Sequence, residues 1–207
     1  MLKRIGAIIT AGGAAAALTV ALGTAPSFAT TTRATWTITP GGAVTGTASN
    51  PTLKDTKSGT VLTCKTSTTS ATLKKGKGQS NPLGSITKIA FQTCTGPLGL
   101  VFTVTIKALP YKLNGNSFSS GVTKGTITGI MASISGSGCS ANIAGTTATA
   151  KGQVNGTYTN STGVLKASGG NLHIFGVNGC FGLIANGDPS TFTASYKITP
   201  KQTITSP

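Results

Sequence analysis

The sequence predicts an all-β protein, an antiparallel β-barrel or β-sandwich built from two duplicated halves and stapled by disulfides. Three observations carry this: short runs of alternating apolar and polar residues, turn-forming clusters between them, and four cysteines in a chain of 207 residues. Thr, Ser and Gly dominate, Glu is absent, and no stretch beyond the N-terminal segment sustains a 3.6-residue apolar period, so helix is excluded as the main element.

In chain order the alternation predicts strands in "ATWTIT" (34 to 39), "TVLTC" (60 to 64), "SITKIAFQTC" (85 to 94) and "LVFTVTIKAL" (100 to 109). It continues with "GTITGIMASISG" (125 to 136), "NLHIFGV" (171 to 177) and "STFTASYKIT" (190 to 199). Clusters such as "DTKSG", "NGNS", "NSTG" and "NGDPS" supply the turns. Regular placement of Val, Ile, Leu and Phe argues against reading so much Thr, Ser and Gly as disorder.

The first residues read as an export signal. Lys3 and Arg4 precede an uncharged stretch from Ile5 to Ala25, and Ser27 and Ala29 occupy the small-residue positions of a cleavage site, which places the cut between Ala29 and Thr30. Pro26 and a cleavage pattern, rather than basic stop-transfer residues, follow the apolar stretch, so the mature chain is expected to carry no transmembrane span and to be secreted or associated with the cell wall. Residues 30 to 207 suffice for a single all-β domain burying about 70% of its unfolded surface.

A pair of cysteine-terminated strands exposes a repeat. "GSITKIAFQTCTG" (84 to 96) aligns with "GNLHIFGVNGCFG" (170 to 182), bringing Cys94 onto Cys180 and Thr87 onto His173, while Cys64 falls opposite Cys139. The halves run from about residue 34 to 120 and from about 121 to 199. Four cysteines in an exported chain are first of all disulfides, and a duplication favours Cys64 with Cys94 and Cys139 with Cys180 among the three possible pairings. The same alignment sets His173 on one face with Phe175 and Val177, in a core-facing row near the sheet rim.

Chemistry is sparse. Removing Lys3 and Arg4 from the seventeen basic residues leaves fifteen against Asp55 and Asp188, a net charge of +13. Such a field attracts polyanions. The near absence of Arg and the single Trp weigh against specific nucleic-acid recognition and leave anionic cell-wall polymers as the candidate partner. Lys74, Lys75 and Lys77 form the tightest cluster, in a charged hairpin tip, and are the candidate polyanion contact. Asp55 in "LKDTKSG" and Asp188 in "NGDPS" occupy turn-capping positions, with nothing in the sequence to make them converge on a pocket. The lone His173, the absence of G-x-S-x-G and the absence of metal-ligand spacing give no catalytic, metal or cofactor-binding residue.

Taken together, "WTITPGGAVTGTA", "FQTCTGPLGLVFTV", "GSGCSA" and "YKITPKQTITSP" resemble a group of secreted actinobacterial proteins with the same cysteine, glycine and Thr-rich strand pattern. The resemblance implies export and β architecture. The reading is therefore a secreted, non-enzymatic β-domain that binds anionic envelope polymers or another polyanion. A soluble β-barrel carrying a small apolar or lipid ligand is the alternative, and a hydrolase the third.

Overall fold

The computed structural model describes residues 35–207. The expected signal segment and its Ala29–Thr30 cleavage site lie outside the described residues. Each of the seven predicted strands is present, and seven further strands join them.

A single sheet of strands with one apolar and one polar face can bury the apolar face by curling on itself, and here it closes. The strands β1 (Trp36–Thr39), β2 (Gly42–Ser49), β3 (Thr52–Asp55), β4 (Val61–Leu73), β5 (Gly76–Gln79), β6 (Gly84–Thr95) and β7 (Val101–Lys107) make up the first part of the chain. They are followed by β8 (Tyr111–Ser119), β9 (Val122–Gly136), β10 (Cys139–Ala144), β11 (Gly152–Thr159), β12 (Val164–Asn178), β13 (Pro189–Thr199) and β14 (Thr203–Thr205).

Three pairs of these are single staves broken in the middle. Strands β2 and β3 both pair with β4 and with β13, β7 and β8 both run between β6 and β9, and β10 and β11 both run between β9 and β12. Around the wall the order is β2/β3, β4, β6, β7/β8, β9, β10/β11, β12 and β13, and β13 returns to β2/β3. Sequential neighbours are always antiparallel, so the fold is an up-and-down barrel of eight staves with no free edge to template aggregation.

The two ends differ. Disulfides Cys64–Cys94 and Cys139–Cys180 lie at one end, where they join β4 to β6 and the start of β10 to the residues just after β12. This is the pairing expected from a duplication, and it staples the second stave to the third and the sixth to the seventh.

The other end is capped by the small sheet β14–β1–β5. Trp36 and Ile38 of β1 are fully buried beneath it. Side-chain clamps fasten the cap to the staves: the Tyr158 hydroxyl donates to Gln202 O and accepts from Gln202 N, both at 2.9 Å. Asn160 likewise accepts from Ile204 N at 3.0 Å and donates to Ile204 O at 2.9 Å.

Candidate functional site

The barrel lumen is the main interior space. Along β13 the alternation is strict, with Ala194, Tyr196 and Ile198 buried and Thr193, Ser195 and Lys197 exposed. The inward residues leave two chambers unfilled, one of about 110 Å³ toward the disulfide end and one of about 90 Å³ toward the cap. The first is walled by residues such as Phe91, Val104, Ile134, Leu172 and Phe192, and the second by Val44, Leu73, Leu113 and Ile204. Thr69, Ile86, Ile127 and Leu165 border both chambers and form the partition between them. The walls are almost wholly hydrocarbon. Such walls offer water few hydrogen-bond partners, which favours an apolar occupant.

All three tyrosines turn inward and are anchored. Tyr111 donates to Met131 O at 2.6 Å and Tyr196 meets the buried Ser67 hydroxyl at 2.9 Å. Burial pushes both phenols up to about 12, outweighing those hydrogen bonds, so each stays protonated and neutral in the lumen wall at physiological pH.

Asp55 and Asp188 do cap turns. Asp55 Oδ1 accepts from Lys57 N at 2.8 Å and Ser58 N at 3.0 Å, and Asp188 Oδ2 accepts from Ala185 N at 2.8 Å. Yet the structure also sets these two aspartates near each other across the β3–β13 pair, a placement that nothing in their local sequence foretells. Closure of the barrel is the cause, because β3 pairs with β13 and sets Asp55 directly across from Ser190, two residues past Asp188. Both aspartates are buried, and Lys57 Nζ reaches Asp188 Oδ1 at 3.2 Å from an otherwise exposed side chain. Asp55 Oδ2 and Ser190 Oγ, on facing residues, have no hydrogen-bond partner.

The pair locks the β3–β4 turn to the segment that leads into β13, helped by Thr56 Oγ1 donating to Pro189 O at 3.0 Å and Thr60 Oγ1 to Leu183 O. Burial pushes the Asp188 carboxyl up, but the Lys57 ammonium and the Ala185 N–H together hold it below its ordinary value. A lowered carboxyl gives stability that is present above its unfolded value of about 3.9 and is lost as pH falls through the lower folded value. Asp188→Asn should therefore lower the denaturant midpoint at pH 7 and change it little at pH 2; an equal loss at both pH values would show that the charge is irrelevant.

His173 departs from expectation. Leu172 and Ile174 point into the core, and His173 sits half-buried on the outer face with Nδ1 3.0 Å from Asn171 O and its ring stacked on Phe175, centroids 6.3 Å apart. Its counterpart Thr87 is exposed as well. The reason is a bulge: Ser70 pairs with Lys88 but Ala71 with Ile86, so Thr87 is an extra residue and breaks the alternation with Ile89 and Phe91. In β12 the extra residue comes earlier, between the Gly169–Phe192 and Leu172–Ser190 pairs, so Leu172 and Ile174 take the inward positions and His173 and Phe175 point outward together, while a later shift separates Val177 from them.

Lys74, Lys75 and Lys77 are not on a free hairpin tip. They flank and enter β5, which pairs with β1 in the cap, and Lys74 Nζ donates to Ser80 O at 2.7 Å while Lys75 and Lys77 remain exposed. Among the described residues no group of three or more His, Cys, Asp or Glu is placed to hold a metal ion, and no helix is long and apolar enough to cross a membrane. Comparison with protein-family models, curated proteins and solved structures finds no match for this chain.

Proposed function

We propose that this protein is an exported, non-enzymatic β-barrel that carries a small apolar molecule in its lumen. The observation that supports this best is the unfilled hydrocarbon interior of a closed wall. Eight staves give a lumen that is either just filled by side chains or holds one small ligand. Against an engineered cavity of about 150 Å³ that admits benzene, each chamber suits a ligand of about six non-hydrogen atoms. A larger one must displace the Leu165 and Ile127 side chains of the partition. The outward faces present residues such as Lys65, Thr68, Lys88 and Lys197, not the continuous apolar band of a membrane-spanning barrel.

The test is a titration with benzene followed by methyl NMR. Shifts confined to lumen residues such as Ile86, Ile127 and Val104 are expected, and Ala132→Leu, which projects into the larger chamber, should abolish them while leaving the fold intact. Unperturbed methyl signals at saturating benzene would sink the reading.

A second reading, binding to anionic envelope polymers, is favoured by charge. Lys57–Asp188 is the single ion pair among the described residues, which leaves the other described lysines without an acidic partner. The internal duplication belongs with these proposals, supported by the matching placement of the two disulfides on the second and third and on the sixth and seventh staves.

A further inference from the structure

The disulfide end of the barrel carries an unusual rim. A barrel with an apolar lumen buries its large apolar side chains, and here nearly all obey. Leu98 is 97% exposed, Phe181 79% and Val101 62%, and all three belong to this end. Val61, exposed to a lesser degree, opens β4 at the same end, whereas Leu109, similarly exposed, lies between β7 and β8 away from the rim.

The three most exposed lie on one arc of the rim. Leu98 lies in the β6–β7 connection, Val101 opens β7 and Phe181 belongs to the β12–β13 connection, and between them sits the β9–β10 turn. That turn joins the flanks: Ser137 Oγ donates to Val101 O at 3.1 Å, and a Cβ built on Gly138 would lie 3.9 Å from the Phe181 ring. Leu98 and Phe181 also hold the left-handed backbone, with φ of 57° and 52°. Bulky side chains rarely accept that conformation, and neither gains internal packing from it.

Lys54, Lys57 and Lys65 are exposed on the neighbouring arc, Lys54 directly across the β3–β4 pair from Val61. The only two acidic side chains of the chain are buried at this same end, so the surface offered there is apolar and cationic with no exposed carboxylate side chain. Single apolar side chains projecting from loop tips, flanked by ammonium groups, match the boundary between acyl chains and anionic headgroups.

We propose that the disulfide end docks on an anionic lipid surface, with Leu98, Val101 and Phe181 inserted at the headgroup boundary and Lys54 and Lys65 against the phosphates. This docking does not depend on the lumen holding a ligand.

The test places a reporter in the rim. In the full chain, Phe181→Trp adds an indole at the docking end, while the native Trp36 lies buried at the capped end. With vesicles of equal phosphatidylglycerol and phosphatidylcholine, the emission contributed by the added indole should shift to the blue and be quenched by lipids brominated near the headgroup, whereas Trp36 emission should not move. Lipid association of the N-terminal segment alone would leave the rim reporter unchanged and overturn the proposal. Leu98→Ser with Phe181→Ser should weaken vesicle binding roughly tenfold or more. Undiminished, salt-sensitive binding by that double variant would instead mean that charge alone is at work, and would transfer the evidence to the polyanion reading. Benzene binding, measured on the same variants, should be unchanged.

Discussion

Replacing both disulfides by alanine pairs is expected to leave the barrel barely stable, with each bridge contributing about 4 kcal/mol. The bridges close chain segments of 30 and 41 residues, and a chain-entropy treatment assigns that stabilisation to restriction of the unfolded chain. Domains of this kind have a total stability of roughly 5 to 15 kcal/mol, so losing both bridges removes a large part of it. The cysteines are buried, and alanine leaves no polar atom behind, so the change tests the cross-link rather than a new buried group. Guanidinium unfolding of Cys64→Ala/Cys94→Ala, Cys139→Ala/Cys180→Ala and the quadruple variant measures this. Similar losses for the two single-bridge variants follow from the similar lengths of the loops they close. A quadruple variant within about 1 kcal/mol of wild type would mean that the unfolded chain is already compact, and that the wall is held by its ladders alone. The second bridge should also matter locally, since Cys180 anchors the loop bearing Phe181 and its loss should loosen that rim first.

How much of this was legible in the sequence depends on what faces inward. Strand β13 was readable because Ala194, Tyr196 and Ile198 alternate with polar residues. Strands β2 and β11 were not, because Gly46, Ala48, Gly152 and Gly156 interrupt inward rows that otherwise hold only Val44, Val154 and Tyr158, and small residues leave no apolar signature. Those small residues are there to make room. A Cβ on Gly46 would come within 2.8 Å of the Thr69 methyl and 3.0 Å of Ile198, so neighbours across the wall fill the space instead. The proximity of Asp55 to Asp188 was invisible for a different reason. The two residues lie 133 apart, and only closure of the barrel through β3 and β13 makes them neighbours. His173 shows the limit of period-two arithmetic: a single extra residue in a strand reverses every face that follows it. The exposed rim had no sequence signal at all, since Leu98 and Phe181 look like any other apolar residues near a glycine.

Trp36→Ala is the second large effect, expected to cost about 3 to 5 kcal/mol and to release the cap before the barrel wall. The indole is 1% exposed and seats against Gly115, where a Cβ would come within 2.5 Å of the ring, so only glycine lets the wall approach this closely. Trp36 Nε1 is buried with no hydrogen-bond partner, which means that the side chain is held by packing and not by its polar atom. Trp36→Phe should therefore keep much of the stability that alanine loses. Gly115→Val should injure the cap from the opposite side, displacing an intact indole and shifting the emission of the chain's single native tryptophan to the red. Hydrogen exchange separates cap from wall. Amides in the β1–β14 ladder, such as those of Thr37 and Thr205, should lose protection in Trp36→Ala while those pairing β12 with β13 keep it. Uniform loss across both would show that cap and wall unfold as one unit. A selective opening would have a further consequence for the lumen, because the smaller chamber is bounded by Ile204 and Gln202 from the capping segment. Loosening that segment should speed benzene exchange with the chamber beneath it, and would mark the cap as the door to that chamber.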